Sequence, residues 1–390
     1  MLDSILRPVM VSPGLVGQPA PCDFFDVRGT LLLREGGAIS ATMGHLSGNR
    51  RLYCRASQAA RVSNAAPLSA LRDVGEALSM LDGLAGSGTG TSAAEFLSLA
   101  EETYKVWSQD PDACIGYARI VQFDRPSVCH SILTALFAAE LGSAHGFVKQ
   151  ELVDLIGAAL TMNLGSLPLH DEMAALAGAP DACARDALAQ HPLRAQEMLV
   201  RIGGFSATWR SAVAQHHENF DGSGYPFGLK RGEIVLQARM LRVADVLAAR
   251  LGERKRRGPM FWSLHQARDP ERLIRHIFGT DMDFLDQTLV RLLMGRLSSF
   301  PPGSVVRLSN GELAIISRRS PDPAEAPREV LAFLDVHGRP QHAPQARRIG
   351  PRDCRISGYA HDTQPRLPPY DWQAIWGYRP QAAAPGTRRN

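Results

Sequence analysis

Two adjacent histidines, His216 and His217, begin the segment of the chain with the most evident chemistry. An acidic, glycine-rich turn follows them, with the sequence ENFDGSGYPFGL at 218–229. Adjacent residues at a helix end point about a third of a turn apart, so the two imidazoles could serve two neighbouring metal ions, or one ion and one substrate oxygen. An isolated pair of this kind is more often a solvated helix end, because short motifs have many chance matches.

Three further polar residues are predicted on helices, at positions that exposure to solvent explains poorly. Asp245 lies four residues after Leu241, on the apolar stripe of its helix. A carboxylate there needs a partner, because an unpaired buried charge costs several kcal/mol. His130 is in register with the apolar residues of its own helix, and His191 precedes Pro192, a favoured first residue of a helix. Several histidines and an aspartate on such faces indicate a divalent metal, and the absence of thiolates leaves iron, manganese and zinc open.

The run at 216–229, followed by ARMLRVAD at 238–245, resembles the second half of the HD-GYP motif, with every fixed position present. HD-GYP domains are bacterial helical bundles of the HD superfamily that use two or three metal ions to hydrolyse cyclic di-GMP. By position, the resemblance implies the metal ligands His130, His191, His216, His217 and Asp245.

The same resemblance implies a set of substrate contacts, namely Gly224, Tyr225, Pro226, Arg254 and Arg257. The basic run 254–257 is equally well explained as a solvated charged face, although the planar guanidinium of arginine suits phosphate. The implied ligand is cyclic di-GMP or a related nucleotide, the implied metal is iron or manganese, and signalling proteins are the partners expected at the GYP loop.

The first half of the motif, the His-Asp pair that gives the family its name, is absent. In the aligned segment, Met162 stands at the histidine position, Asn163 at the aspartate and Ser166 at a following lysine. A thioether is a poor ligand for a hard divalent ion, and a neutral amide cannot bridge two cations as a carboxylate does. The site is therefore expected to hold a single ion or none.

Three smaller features bear on the same half of the motif. Pro126 occupies a position where some members have an acidic ligand, and Ala248 one where members often have aspartate. A literal His170-Asp171 dipeptide comes eight residues too late to be the missing pair and is interpreted as a surface coincidence.

Three functional hypotheses follow. The favoured one is a degenerate HD-GYP domain that retains part of a metal site and acts by binding a nucleotide or partner proteins. The alternative is an active phosphodiesterase that works with one metal, with Asn163 as a weak oxygen ligand. The third is a purely structural helical module, which would carry no metal after purification.

The predicted fold is mainly α: a helical HD-superfamily bundle flanked by a small N-terminal β-containing module and a small C-terminal β module. Apolar residues recur at helical spacing through the central part, whereas 24–33 and 304–316 read as strand pairs, the second around Asn310-Gly311, a dipeptide suited to a type I′ hairpin. A third strand is predicted at 330–336. The expected divisions are residues 1–82 for the N-terminal module, 83–92 for a Gly/Ser-rich linker, 93–297 for the helical domain, 298–360 for the β extension and 361–390 for a partly disordered tail.

Composition excludes several other classes of protein. A net charge of +4 and a pI of about 8.8 over 390 residues, with the basic residues scattered, do not predict a nucleic-acid partner. The six cysteines include no C-x-x-C pair, which argues against a zinc module or a disulfide framework. No run approaches the ~18 to 20 apolar residues of a membrane span, and the N-terminus does not resemble a leader, so a cytoplasmic location is predicted.

Overall fold

A computed structural model describes residues 6–9, 18–26, 29–40, 52–55, 67–88, 90–121, 123, 125–175, 180–251, 284–320, 322, 325–350, 353–360, 367–370, 372–376 and 378. Its helices are Pro67–Gly86 (α1), Ala93–Gln109 (α2), Pro111–Ile120 (α3), Pro126–His145 (α4), Lys149–Thr161 (α5), Leu167–Ala175 (α6), Ala182–Ile202 (α7), Ala207–Gln215 (α8), Leu236–Leu251 (α9) and Gln287–Leu297 (α10). The predicted class is confirmed: the structure is mainly helical, with small sheets before and after the helices.

Short polar residues begin several of these helices. The carboxylate of Asp110 accepts a hydrogen bond from the amide of Ala113 at 3.0 Å, and Pro111 occupies the first turn of α3. The Asp181 carboxylate accepts from Ala184 at the start of α7, and the Ser206 hydroxyl accepts from Trp209 at the start of α8. Each side chain satisfies an amide that has no partner within its helix.

Helix α4 is the central element of the bundle. It packs against α5, α9, α10 and α3, and most of its side chains are buried. Among the described residues it is the one helix long and apolar enough to cross a membrane, but 78% of that apolar window is buried inside the protein. Burial of this kind is what a core helix requires, because an all-round apolar helix must be covered by its neighbours.

The N-terminal sheet contains Leu6–Val9 (β1), Phe24–Phe25 (β2), Leu31–Leu33 (β3) and Leu52–Arg55 (β4), in the order β1-β4-β2-β3. The predicted strand pair within 24–33 is confirmed, since β2 pairs antiparallel with β3. The sheet has its own small core, built from Ala20, Cys22, Phe24, Ile39 and Cys54.

The C-terminal sheet contains Val305–Leu308 (β5), Leu313–Ile315 (β6), Glu329–Leu334 (β7), Pro340–Arg348 (β8) and Ile356–Tyr359 (β9), in the order β8-β7-β6-β5-β9. The hairpin and the third strand predicted from sequence are both present, because β5 pairs with β6 and β6 with β7.

The turn of that hairpin differs from the type I′ prediction. Gly311 has a φ of 93°, but Asn310 is absent from the described non-glycine residues with positive φ. Instead the Asn310 side-chain oxygen accepts from the amide of Glu312 at 3.0 Å, and the amide of Leu308 donates to the Glu312 carbonyl at 2.9 Å. A longer loop with one left-handed glycine therefore joins the strands, as in a hairpin with a glycine bulge.

A buried carboxylate joins the C-terminal sheet to the bundle. Glu140 of α4 is fully buried and accepts hydrogen bonds from Trp107 at 3.1 Å, Arg296 at 3.2 Å and Arg319 at 2.9 Å. Arg319 comes from the segment after β6 and also pairs with Asp112 of α3. The apolar side chains of bundle and sheet form one continuous core around this network.

The helical part begins earlier in the chain than the predicted divisions place it. Helix α1, Pro67–Gly86, packs on α2, α3 and α4 and contributes to the main core. It occupies the end of the predicted N-terminal module and the first residues of the predicted linker. The divisions into domains stay a prediction, and most of the predicted tail, including residues 379–390, lies outside the described residues.

Candidate metal centre

Two helices, α7 and α8, bring three imidazoles together. His191 lies in the middle of α7, and Pro192 is inside that helix, so the prediction that a helix begins at this proline is wrong. His216 ends α8, and His217 follows it directly. One ligand nitrogen from each of these residues can be chosen so that all lie within 4.8 Å of one another. The Nε2 atoms of His191 and His216 are 3.1 Å apart, a spacing at which both can reach one ion that binds imidazole nitrogen at ~2.0–2.1 Å.

Backbone carbonyls orient the first two rings. The Nδ1 atom of His191 lies 2.5 Å from the carbonyl oxygen of Leu188, and the Nδ1 atom of His216 lies 2.7 Å from that of Val213. A carbonyl oxygen can only accept, so both Nδ1 atoms carry the proton and both Nε2 lone pairs are left facing each other. Metal-binding histidines are commonly held in this way by their other nitrogen.

The environment keeps these rings neutral. Burial lowers the pKa of His191, and burial together with neighbouring His191 lowers the pKa of His216 to about 3. Burial and the nearby His216 also hold the pKa of His217 well below its usual range. Two neutral imidazoles with converging lone pairs fit a cation, because only the neutral ring binds metal.

Asp245 and His130 form a second group beside the imidazole cluster. The Asp245 carboxylate lies on α9 and is 8% exposed. One oxygen is 2.8 Å from His130 Nε2, and the other accepts from Arg242 at 3.2 Å. Burial opposes ionisation, but the hydrogen bond and charge of His130, aided by the charge of Arg242, outweigh it and hold the pKa of Asp245 well below its usual range.

Arg242 is the residue at this site that the sequence analysis missed. Its guanidinium also donates to Nδ1 of His217 at 3.1 Å and to the side-chain oxygen of Asn219 at 3.0 Å. Its spacing of three residues from Asp245 on one helix face was the available signal, since residues at that spacing are neighbours.

The loop 218–229 is folded against the cluster. The ring of Tyr225 stacks on His217 with centroids 4.8 Å apart and an angle of 19° between the planes. The buried carboxylate of Glu218 accepts from the amides of Phe227 at 2.6 Å and Leu229 at 3.0 Å. A Cβ at Gly224 would collide with the backbone of His217 to Asn219, so only glycine allows this close approach. Pro226 lies between these anchors in the same loop, and the predicted substrate contacts of all three loop residues stay predictions.

The positions aligned with the missing pair are buried at the end of α5. Met162 is fully buried in the main core. Asn163 is 2% exposed, and its side-chain oxygen has no hydrogen-bond partner among the described residues. The Ser166 hydroxyl donates to the carbonyl of Asn163 at 2.8 Å and so belongs to the turn itself.

The interpretation of His170-Asp171 as a surface coincidence is wrong. The His170 ring packs edge-on against His191, with centroids 5.0 Å apart and an angle of 88°. Asp171 accepts from Arg125 at 2.7 Å and from the amide of Ser127 at 2.8 Å, which ties α6 to the start of α4. Helix α6 forms directly after the turn at Asn163, and this turn carries His170 back to the imidazole cluster.

The structure therefore brings His130, His191, His216, His217, Asp245 and Tyr225 into one region, as the sequence predicted. The predicted phosphate contacts Arg254 and Arg257 lie outside the described residues. Of the predicted metal ligands, His191 and His216 best fit an ion. Arg242 engages His217, and both oxygens of Asp245 are engaged by other side chains.

Comparison with known proteins identifies a matching family and several relatives of this chain. Residues 106–267 match the family described as HD domain. The chain is 26% identical over 280 residues to a protein of Pseudomonas aeruginosa named a cyclic di-GMP phosphodiesterase, covering 70% of this chain and 64% of that one. It is 28% identical over 166 residues to a 3'3'-cGAMP-specific phosphodiesterase of Vibrio cholerae, covering 40% of this chain and 36% of that one. The chain thus spans less than two thirds of the length of either relative.

A solved structure of an HDG"Y"P protein from Bdellovibrio bacteriovorus aligns with 74% of this chain and 98% of its own. Its sequence identity is 13% and its TM-score is 0.45, which is too low to establish a shared arrangement.

Proposed function

We propose that this chain, an HD-GYP homologue whose match to the HD domain family covers residues 106–267, binds cyclic di-GMP or a related cyclic dinucleotide without hydrolysing it efficiently. The proposed binding site is the region around the imidazole cluster and Tyr225. The proposed role is that of a receptor or scaffold in cyclic dinucleotide signalling.

The ligand class is supported by the relatives. Two curated relatives are named for cyclic di-GMP and for 3'3'-cGAMP, and both nucleotides are cyclic dinucleotides joined by phosphodiester bonds. Tyr225 presents an aromatic ring on the loop, stacked on His217, where a base or a ribose could pack.

The observation that carries the proposal is the buried position of Met162 together with Asn163. Hydrolysis of a phosphodiester by metal ions relies on a clamp that neutralises charge on both the attacking and leaving oxygens. The family builds that clamp with a histidine and a bridging carboxylate, and here those positions hold a thioether buried in the core and a neutral amide. Neither group supplies the negative charge that such a catalytic clamp needs next to the reacting phosphate.

A divalent ion, if bound by His191 and His216, would supply Lewis-acid polarisation of a phosphate oxygen. Tyr225 would orient the nucleotide. The buried imidazole rings would exclude water from one side of the ion. Iron and manganese are the proposed ions, since imidazole nitrogen suits both.

The alternative function is a slow, one-metal phosphodiesterase. One observation favours it: the side-chain oxygen of Asn163 is buried and has no hydrogen-bond partner among the described residues. A buried oxygen of this kind costs free energy unless something satisfies it, and a cation would do so. Asn163 would then act as the weak oxygen ligand of an active centre.

The experiment that separates these functions is an anaerobic incubation of the purified protein with cyclic di-GMP and either iron(II) or manganese(II). The nucleotides are then separated by chromatography. His216→Ala serves as the metal-site control, and Met162→His/Asn163→Asp tests whether the rest of the site is intact. The proposal expects binding by equilibrium dialysis, and no more product from the natural protein than from His216→Ala.

Faster formation of linear dinucleotide or GMP by the natural protein than by His216→Ala would establish the alternative. Absence of both metal and nucleotide binding would leave the purely structural hypothesis.

Protein partners at the GYP loop and a cytoplasmic location are also proposed. Phe227 is 53% exposed in this loop, and an exposed aromatic on an anchored loop is a common element of protein interfaces.

A further inference from the structure

Building on the proposed metal centre, we infer that Arg242 occupies the place of a second cation beside Asp245. The centre is then limited to one ion, bound on the side of His191 and His216. Arg242 thus determines how many ions this centre takes, a role distinct from that of any metal ligand.

The guanidinium is anchored on several sides. It donates to Asn219 Oδ1 at 3.0 Å, to His217 Nδ1 at 3.1 Å and to Asp245 Oδ2 at 3.2 Å. It also lies over the ring of Phe284, 5.4 Å from the centroid. Asn219 and Phe284 hold it independently of Asp245, so its position does not depend on attraction to that carboxylate alone.

Arg242 also engages the second carboxylate oxygen of Asp245, because His130 already contacts the first. A carboxylate bridges two cations by giving one oxygen to each, and here the two oxygens are given to His130 Nε2 at 2.8 Å and to Arg242 at 3.2 Å. The Arg242 side chain is 17% exposed and that of Asp245 12%, so water screens this pair poorly. A divalent ion placed at Asp245 would meet a fixed positive charge.

Arg242 also restricts His217. Because the guanidinium donates to Nδ1 of that ring, the proton of the neutral imidazole lies on Nε2. A protonated nitrogen has no lone pair for a metal, so His217 can bind an ion through Nε2 only if Arg242 releases Nδ1. Removing the guanidinium would free a carboxylate oxygen and an imidazole nitrogen together.

The test counts manganese ions on the full-length chain. The natural protein and its variants are loaded anaerobically with manganese(II) and separated from free ion by gel filtration. Bound metal is measured by mass spectrometry, and electron paramagnetic resonance distinguishes an isolated ion from a coupled pair. Arg242→Met removes the charge at similar length, and Arg242→Gln keeps a donor for Asn219 in case the first variant folds poorly.

Arg239→Met is the matched control. Arg239 lies one turn earlier on the same helix and pairs with Asp286 at 2.8 Å instead of with the centre. We expect about one ion on the natural protein and on Arg239→Met, and about two with a coupled spectrum on a folded Arg242 variant.

Two ions on the natural protein, or one ion on both folded Arg242 variants, would overturn the role of Arg242 while leaving the metal centre in place. Absence of manganese from every protein tested would overturn the proposed metal centre itself, and the role of Arg242 with it.

Discussion

At the scale of single residues, the centre depends on contacts that a sequence pattern only partly encodes. Helical spacing was enough to predict that His130 and Asp245 share a buried region, and they lie 2.8 Å apart. The orientation of His191 and His216 was not predictable, because it depends on which backbone carbonyl each Nδ1 meets. Arg242 was missed because its role depends on Asn219, which lies in a loop whose path the sequence does not define.

His170 was misjudged for a related reason. It follows Pro168 and comes too late in the chain to be the missing pair, so it was interpreted as a surface residue. A proline in the first turn of a helix is well tolerated, and here α6 begins at Leu167 and turns His170 toward His191.

A residue-scale prediction follows from that contact. The His170 ring packs edge-on against His191, so His170→Gln should loosen the orientation of a ligand and weaken manganese(II) affinity by roughly 10-fold, as for other supporting residues of metal sites. Competition with a fluorescent chelator measures the affinity. His145→Gln, which replaces an exposed histidine of the same domain, should leave it unchanged. An unchanged affinity for His170→Gln would show that His191 needs no support from this ring.

At the scale of secondary-structure elements, periodicity predicted the helices and the strand pairs of both sheets. It did not predict α1, because the glycines at 83 and 86 suggested a linker. Their helical state is explained by packing: the apolar face of α1, including Leu71, Leu78 and Leu81, is buried in the main core. Tertiary burial of this kind outweighs a helix-propensity cost of about 1 kcal/mol for each glycine.

Helix α1 also makes a pH-dependent prediction. Burial, aided by the nearby charge of Glu76, raises the pKa of Asp73 from 3.8 to about 7. The folded protein therefore binds a proton that the unfolded chain releases at lower pH, so this group contributes stability at acidic pH that is lost as the pH rises through 7. Asp73→Asn should raise the melting temperature at pH 8 and have little effect near pH 4.

Thermal melting of both proteins across this range measures the difference. Asp186→Asn, at an exposed position on α7, is the control. An equal effect of Asp73→Asn at pH 4 and pH 8 would contradict the linkage.

At the scale of the whole molecule, the sequence indicated a helical bundle between two small β modules, and that arrangement is observed. How the C-terminal sheet attaches was not predictable. Arg319 and Glu140 are 179 residues apart in the chain, and no local pattern relates them. The long-range ion pair is visible only once the fold has brought α4 and the sheet together.

The attachment gives a prediction for global stability. Glu140 is fully buried and paired with Arg319, so Glu140→Ala leaves a half-buried guanidinium without this partner and should lower the free energy of unfolding by ~3–5 kcal/mol. Glu102→Ala, which removes a partly exposed pair with Lys105, should cost about 0–1 kcal/mol. Urea unfolding followed by tryptophan fluorescence compares the two. Equal losses would mean that the network contributes nothing beyond a surface pair.

Under the proposed function, this chain binds a cyclic dinucleotide and leaves it intact. Calorimetric titration of cyclic di-GMP into the manganese-loaded protein, with chromatography of the cell contents afterwards, tests it most directly. We expect heats that saturate and return to baseline, with the nucleotide recovered unchanged. Heat that continues after each injection, with linear dinucleotide or GMP in the cell, would contradict it.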